Sequence, residues 1–229
     1  MLIRTNPEKG IANPKMNNKL NNQANRKLKN KISKESKANK GNISNERKIL
    51  LLLFKNTLEL FNSRVLAAKI GISHVGVFKI MKKLEEKDIV VSRMIGKARV
   101  YSINNRNPIA RKEVELALML ESQNNIRWLE EFKDLKNIAE SAILFGSILR
   151  NEKEARDIDL LIISEEKNFS AIKKFIESKN NVLNKKIHPI IQTKEDFNKD
   201  FMNKNKVTLE IIKTGVILFG QENINNLLN

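Results

Sequence analysis

The chain contains no cysteine. Disulfide frameworks, thiolate metal sites and cysteine nucleophiles are therefore excluded, and nothing argues for an oxidising compartment. Histidine is scarce: His74 and His188 are the only two, which argues against a multi-histidine metal site. Long apolar runs are missing too. The longest, Ile49 to Phe54, falls far short of the roughly 20 residues a membrane span needs. The first 30 residues hold no stretch resembling a secretory signal. The expected setting is cytoplasmic, with no membrane partner. Apolar residues make up 41%, slightly below a globular average, so part of the chain is expected outside any core. The 229 residues suit one large domain or two small ones.

What the chain has in excess is positive charge, a net +17, and it is unevenly placed. Residues 1–42 carry eleven basic and two acidic residues, residues 43–105 twelve and five, and residues 106–229 twenty and nineteen. A polyanionic partner should therefore meet the first 105 residues. Residues 1–42 are rich in Asn and Lys, without aromatics or apolar period, and read as a disordered basic arm.

Over residues 43–105 the pattern changes. Ile49, Leu52, Leu53 and Leu60 fall on helical spacing, with Lys48, Lys55 and Glu59 opposite, and Ser44 can cap the helix. A short second helix runs from Ser63 to Ile70 and ends at Gly71. Ser73 caps a third, reaching about Lys87, with Val77, Ile80, Met81 and Leu84 on its apolar face. Ile89–Arg93 and Arg99–Ile103 read as strands around a turn at Gly96-Lys97.

Three helices and a two-stranded hairpin in this order resemble the winged helix-turn-helix family of DNA-binding domains. The matching pieces are the turn Leu66 to Ser73, the junction Lys82 to Val90 and the wing Gly96 to Tyr101. The resemblance implies that the third helix enters the major groove of double-stranded DNA and the wing lies along its backbone or minor groove. The helix would offer His74, Lys79, Lys82 and Lys83, and the wing Arg93, Lys97 and Arg99. Such residues position a duplex through phosphates, and about six contacts give a salt slope near −5. Gly76 and Phe78 depart from the family's polar preference, and Asp88 stands where glycine is common. A winged helix used for protein contacts is the alternative.

Asn107-Pro108 announces a helix. Ile109, Leu116 and Leu120, then Trp128, Leu129, Phe132 and Leu135, continue in helical spacing, with a break near Asn124-Asn125. Residues 106–140 read as a helical connector that either supports a homodimer or packs on the neighbouring domain.

Residues 141–229 carry the chemistry. Ser141–Phe145 reads as a buried strand ending at Gly146-Ser147, and Ile148-Leu149-Arg150 as one helical turn. Asp157–Ile163 reads as a second strand with Asp157 and Asp159 on one face, roughly 7 Å apart. Paired carboxylates suit a hard divalent cation. Glycine and serine at a strand-to-helix junction suit a phosphate, since the backbone can approach closely and donors are present.

This constellation, Phe145-Gly146-Ser147 with Asp157-Ile158-Asp159-Leu160-Leu161-Ile162, resembles the minimal nucleotidyltransferases of the DNA polymerase beta superfamily over about residues 140–220. The resemblance implies transfer of a nucleoside monophosphate from a nucleoside triphosphate to a hydroxyl. Asp157 and Asp159 would hold Mg²⁺ or Mn²⁺, and Gly146, Ser147 and Arg150 would meet the nucleotide. The family commonly has Arg-Gly where this chain has Arg150-Asn151, and serine where it has Arg156. It also carries a third acid on the next strand, here Lys186–Gln192 after a helix near Phe169–Lys179. No acid stands there; His188 does, either as a metal ligand or weak base, or as an edge-strand histidine beside a proline without a role. A single helix is expected from Lys194 to Thr214, then a closing apolar segment, Gly215–Gly220.

The expected fold class is thus α+β: a winged helix over 43–105, a connector over 106–140 and a nucleotidyltransferase domain with a small mixed sheet over 141–229. Two functions follow. One is a DNA-binding nucleotidyltransferase, whose acceptor could be a partner protein or toxin, as in antitoxin-type members. The other is a transcription regulator whose degenerate transferase domain senses a nucleotide or mediates assembly.

Overall fold

The structure, a computed structural model, describes residues 43–227. The expected arm over 1–42 lies outside the described residues. The first three helices each start where a side chain satisfies their free amides. The Ser44 hydroxyl accepts from the Arg47 amide and opens α1 (Asn45–Lys55). A short strand, β1 (Phe61–Asn62), follows. The Asn62 side chain then accepts from Arg64 and Val65 to open α2 (Ser63–Ile70), and Gly71, at φ 77°, closes it. Ser73 caps α3 (His74–Glu86) by accepting from the Gly76 amide.

The end of α3 explains one departure from the family pattern. Asp88 takes φ 55°, the left-handed region glycine usually supplies. The Ile89 amide bonds the Leu84 carbonyl and the Asp88 amide that of Glu85, the paired closure of a Schellman motif. Asn104 and Asn107 both donate to the Asp88 carbonyl and hold the bend.

Strands β2 (Val90–Ile95) and β3 (Ala98–Ile103) form the wing, turning at Gly96 with φ 58°. The hairpin gains a strand that the sequence pattern does not announce: β1 pairs with β3, giving the order β1-β3-β2.

Two assignments around α1 are corrected. The helix ends at Lys55, so Leu60 does not share its apolar face and is exposed. Lys55 is not on a solvated face: its side chain is 9% exposed. Its ammonium donates to Glu121 at 2.7 Å and to the Gly215 carbonyl at 2.6 Å. A long aliphatic stem lets lysine cross apolar ground and deliver its charge to an acid on the far side.

The connector holds α4 (Pro108–Gln123), α5 (Ile126–Glu131) and a 3₁₀ turn at Lys133–Asn137. Its buried stripe is Ala110, Val114, Ala117 and Leu118. The stripe read from spacing is therefore not the buried one: Ile109 is 62% exposed and Leu116 is also exposed. Small residues on the buried stripe let α4 approach α1 closely.

The second sheet contains β4 (Ser141–Phe145), β5 (Asp157–Ile163), β6 (Lys186–Gln192) and β7 (Val216–Phe219), in the order β6-β5-β4-β7. Only the β5–β6 pair is parallel, so the sheet is mixed. The short α6 (Ser147–Arg150) joins β4 to β5, and α7 (Phe169–Asn180) makes the crossover a parallel pair requires. Two helices replace the single one expected after β6: α8 (Lys194–Met202) and α9 (Lys206–Thr214). The chain breaks at Lys204, φ 54°, and Asn205 caps the new start. Helix α10 (Gln221–Leu227) follows β7. No described helix is long and apolar enough to cross a membrane.

Alternation along the strands divides the sheet between two sets of neighbours. Ala142, Leu144, Ile158, Leu160 and Ile162 pack with Trp128, Phe132, Ile172 and Ile176. Ile143, Leu161, Ile163 and Ile217 instead join a core with Ile49, Leu53, Val114, Leu118 and Ile211. The winged helix and the sheet thus share one continuous core. At its edge Glu59 bonds Lys213 at 2.9 Å and Lys69 at 3.0 Å, and the Lys213 and Lys69 bonds hold its carboxyl below the ordinary value.

Candidate functional site

Strand β5 begins at Asp157, and its alternation buries Ile158 while Asp157 and Asp159 leave on the other face, half-buried. Antiparallel pairing sets Asp159 opposite Phe145, the last residue of β4. Gly146 follows, and two facts require glycine there. Its φ is 81°, and a Cβ would lie 2.0 Å from Asp159 Oδ2. Backbone and carboxylate are thus in direct apposition. Ser147 is half-buried at the start of α6, and Arg150 is exposed at its end.

Parallel pairing brings β6 beside β5 and sets His188 opposite Asp159. His188 Nδ1 lies 3.4 Å from Asp157 Oδ2, and ligand atoms of Asp157, Asp159 and His188 all fall within 4.8 Å of one another. The strand expected to supply a third acid supplies an imidazole. β6 is indeed an edge strand, but this side chain faces the acids. Glu177 and Glu195 stand exposed on α7 and α8, outside the cluster.

Burial pushes the Asp159 carboxyl above its ordinary value, Asp157 adds repulsion, and His188 opposes the shift. A cation would relieve this. Two carboxylate oxygens and an imidazole nitrogen at this separation fit a divalent ion.

The second candidate surface is α3 with the wing. All seven residues expected to meet DNA are exposed. Three of them are strongly engaged within the chain. Lys83 pairs with Glu46 at 2.7 Å. Arg99 meets Glu85 at 3.2 Å and Ser92 at 2.8 Å. His74 shares a hydrogen bond of 2.8 Å with Ser63. Lys82 reaches Glu86 at only 3.9 Å. Lys79, Arg93 and Lys97 have no ion pair among the described residues. Gly76 is the third residue of α3, not mid-helix, so the interior glycine penalty does not apply. Val75 and Phe78, 61% and 49% exposed, stand among the lysines. Their phase, out of step with Val77, Met81 and Leu84, is the signal for that exposure. A cavity of about 240 Å³ lined by Phe54, Asn56, Glu59 and Tyr101 lies in the winged helix, apart from the acids.

Residues 126–214, from α5 to α9, match the family profile described as Nucleotidyltransferase domain, and the match contains the whole acid cluster. No curated protein is matched. Among solved structures, a mutant of Lactococcus lactis ZitR is 18% identical, covering 71% of this chain and 97% of that one, with a TM-score of 0.31. The adhesin competence repressor AdcR of Streptococcus pyogenes is 16% identical over 74% of this chain and 98% of its own, with a TM-score of 0.30. The heme sensor PefR of Streptococcus agalactiae is 10% identical over 76% and 95%, at 0.29. Scores this low do not superpose the folds; the winged helix is identified by its own order of elements, α1-β1-α2-α3-β2-β3. Residues 126–214 of this chain are a nucleotidyltransferase domain, and a winged helix-turn-helix precedes it.

Proposed function

We propose that the chain binds double-stranded DNA through α3 and the wing, and that its transferase domain binds a divalent cation with a nucleoside triphosphate and moves the nucleoside monophosphate to a hydroxyl. The observation that carries this reading is the apposition of Asp157 and Asp159 to Gly146. Asp157 and Asp159 hold the cation. When bound, that cation neutralises triphosphate charge and polarises the α-phosphate. Gly146 leaves the backbone bare for close approach, Ser147 donates to a phosphate oxygen and Arg150 offers its charge from the end of α6. The acceptor oxygen bonds to the α-phosphorus, pyrophosphate departs and the hydroxyl proton passes to solvent. Without an acid as base, the rate falls by about 10²–10⁴ against a site that has one. A hydroxyl on a partner protein, including a toxin, is the acceptor that the antitoxin-type resemblance favours.

On the DNA side the cations without a close ion pair are Lys79, Lys82, Arg93 and Lys97. Four phosphate contacts give a salt slope near −4, shallower than all six exposed lysines and arginines would.

One observation favours a second reading, a regulator whose transferase domain senses nucleotide without turnover: His188 stands where a third acid belongs. Nucleoside triphosphates labelled at the α-phosphate, incubated with Mg²⁺ or Mn²⁺ and candidate partner proteins, separate the two. Label transfer that vanishes in Asp157→Ala and Asp159→Ala supports the enzyme. Nucleotide binding without transfer to any acceptor supports the sensor.

A further inference from the structure

We propose that His188 is the third donor to the cation of this site, and that it shifts the site's preference from Mg²⁺ toward first-row transition cations such as Mn²⁺. This rests on the reading that Asp157 and Asp159 hold a divalent ion.

The placement follows from the backbone. Parallel register sets His188 opposite Asp159 and Ile187 opposite Ile158. Ile187 and Ile158 both pack into the core beneath the sheet, so the residues after each must leave on the opposite face. Pro189 follows directly and fixes its own φ; on an edge strand its missing amide costs no ladder bond. His188 is therefore aimed by strand pairing on one side and by core burial of its neighbour on the other. Its imidazole interacts with Asp157 and Asp159, and the 3.4 Å separation from Asp157 Oδ2 is long for a hydrogen bond to a carboxylate. Both acids and the ring turn their ligand atoms toward a common space within 4.8 Å.

The donor set then decides the metal. Mg²⁺ prefers an octahedron of oxygens and gains little from imidazole. Mn²⁺ accepts carboxylate oxygen and tolerates nitrogen, and the affinity order for first-row cations rises from Mn²⁺ to a maximum at Cu²⁺ and falls at Zn²⁺. Replacing an acid with histidine also removes one negative charge, which weakens a strongly hydrated ion such as Mg²⁺ most.

The test uses the full chain and Mn²⁺ alone. Bound Mn²⁺ is quantified by loss of the free-ion EPR signal, and its ligands are read by nitrogen coupling in pulsed EPR. Wild type should show a coordinated imidazole nitrogen. His188→Asp, at an exposed position that leaves the core untouched, should keep Mn²⁺ and lose that coupling. Mg²⁺ should then displace Mn²⁺ at least about tenfold more readily, the scale on which changes around a metal move its affinity. Bound Mn²⁺ without nitrogen coupling, together with unchanged Mg²⁺ competition in His188→Asp, overturns the inference and leaves His188 as an ion-pair partner of Asp157. Mn²⁺ binding that survives Asp157→Ala combined with Asp159→Ala overturns the cation reading beneath it.

Discussion

On α3 and the wing, the candidate chemistry sits on long side chains that swing in solvent; at the head of β5 it sits on short side chains pinned by strand pairing. The lysines and arginines of the first region divide between loosely held or free cations and ones already paired closely to Glu46 or Glu85. The acids of the second have no such freedom, because Gly146 lies against Asp159 and β6 brings His188 alongside. The first surface should therefore lose function in small steps, and the second all at once.

The largest effect expected is from Gly146→Ala. A methyl group there collides with Asp159 Oδ2 and strains a backbone at φ 81°. Displacing a carboxylate by about 1 Å should cost around 10²-fold or more in label transfer, while thermal melting of the whole chain changes far less. Equal transfer by the variant would break the contrast.

Next is a substitution that crosses both regions. Lys55→Ala removes the buried partner of Glu121, whose other oxygen is already buried without a partner. Stability should fall by about 3 kcal/mol in denaturant titration, as for other broken buried pairs. The midpoint should shift as one transition, since the two regions share a core.

Asp159→Asn should separate stability from function. The fold raises this carboxyl's pKa, so the folded chain holds the proton more tightly than the unfolded one. The group's contribution to stability is full below its unfolded pKa and falls away as pH rises through the folded value. At neutral pH the substitution removes that penalty and should raise Tm modestly. In strong acid, where the wild-type group is protonated in both states, the gain should vanish. Cation-dependent nucleotide binding should be lost throughout.

The smallest effects sharpen the other side. Lys79→Ala with Lys82→Ala should reduce the salt slope of DNA binding by about 2. Lys83→Ala and Arg99→Ala should change it by much less, because those cations already face acids. Equal losses at all four would show that the ion pairs open on DNA.

Much of this architecture is legible in the sequence because it is written in local signals. Ser44, Ser73, Asn107 and Gly71 mark helix ends by chemistry that acts over three or four residues. The Asp157-Ile158-Asp159 alternation states which side chains share a face. What the sequence does not show is long-range. Lys55 looks solvated until Glu121 and Gly215, far along the chain, close over it. Ala110, Val114 and Ala117 form the buried stripe of α4 although Ile109 and Leu116 are more apolar, because the fit to α1 rewards small side chains. His188 belongs with the acids only once β6 is known to pair parallel with β5 in that register. The break between α8 and α9 depends on Lys204 entering the left-handed region, which lysine does not advertise.

Crystals of the full chain soaked in Mn²⁺ and measured at its absorption edge test the central claim most directly. One strong anomalous peak is expected within about 2.0–2.6 Å of both the Asp157 and Asp159 carboxylates, beside Gly146. A peak elsewhere with these acids vacant, or the two carboxylates on opposite faces of the sheet, would contradict it.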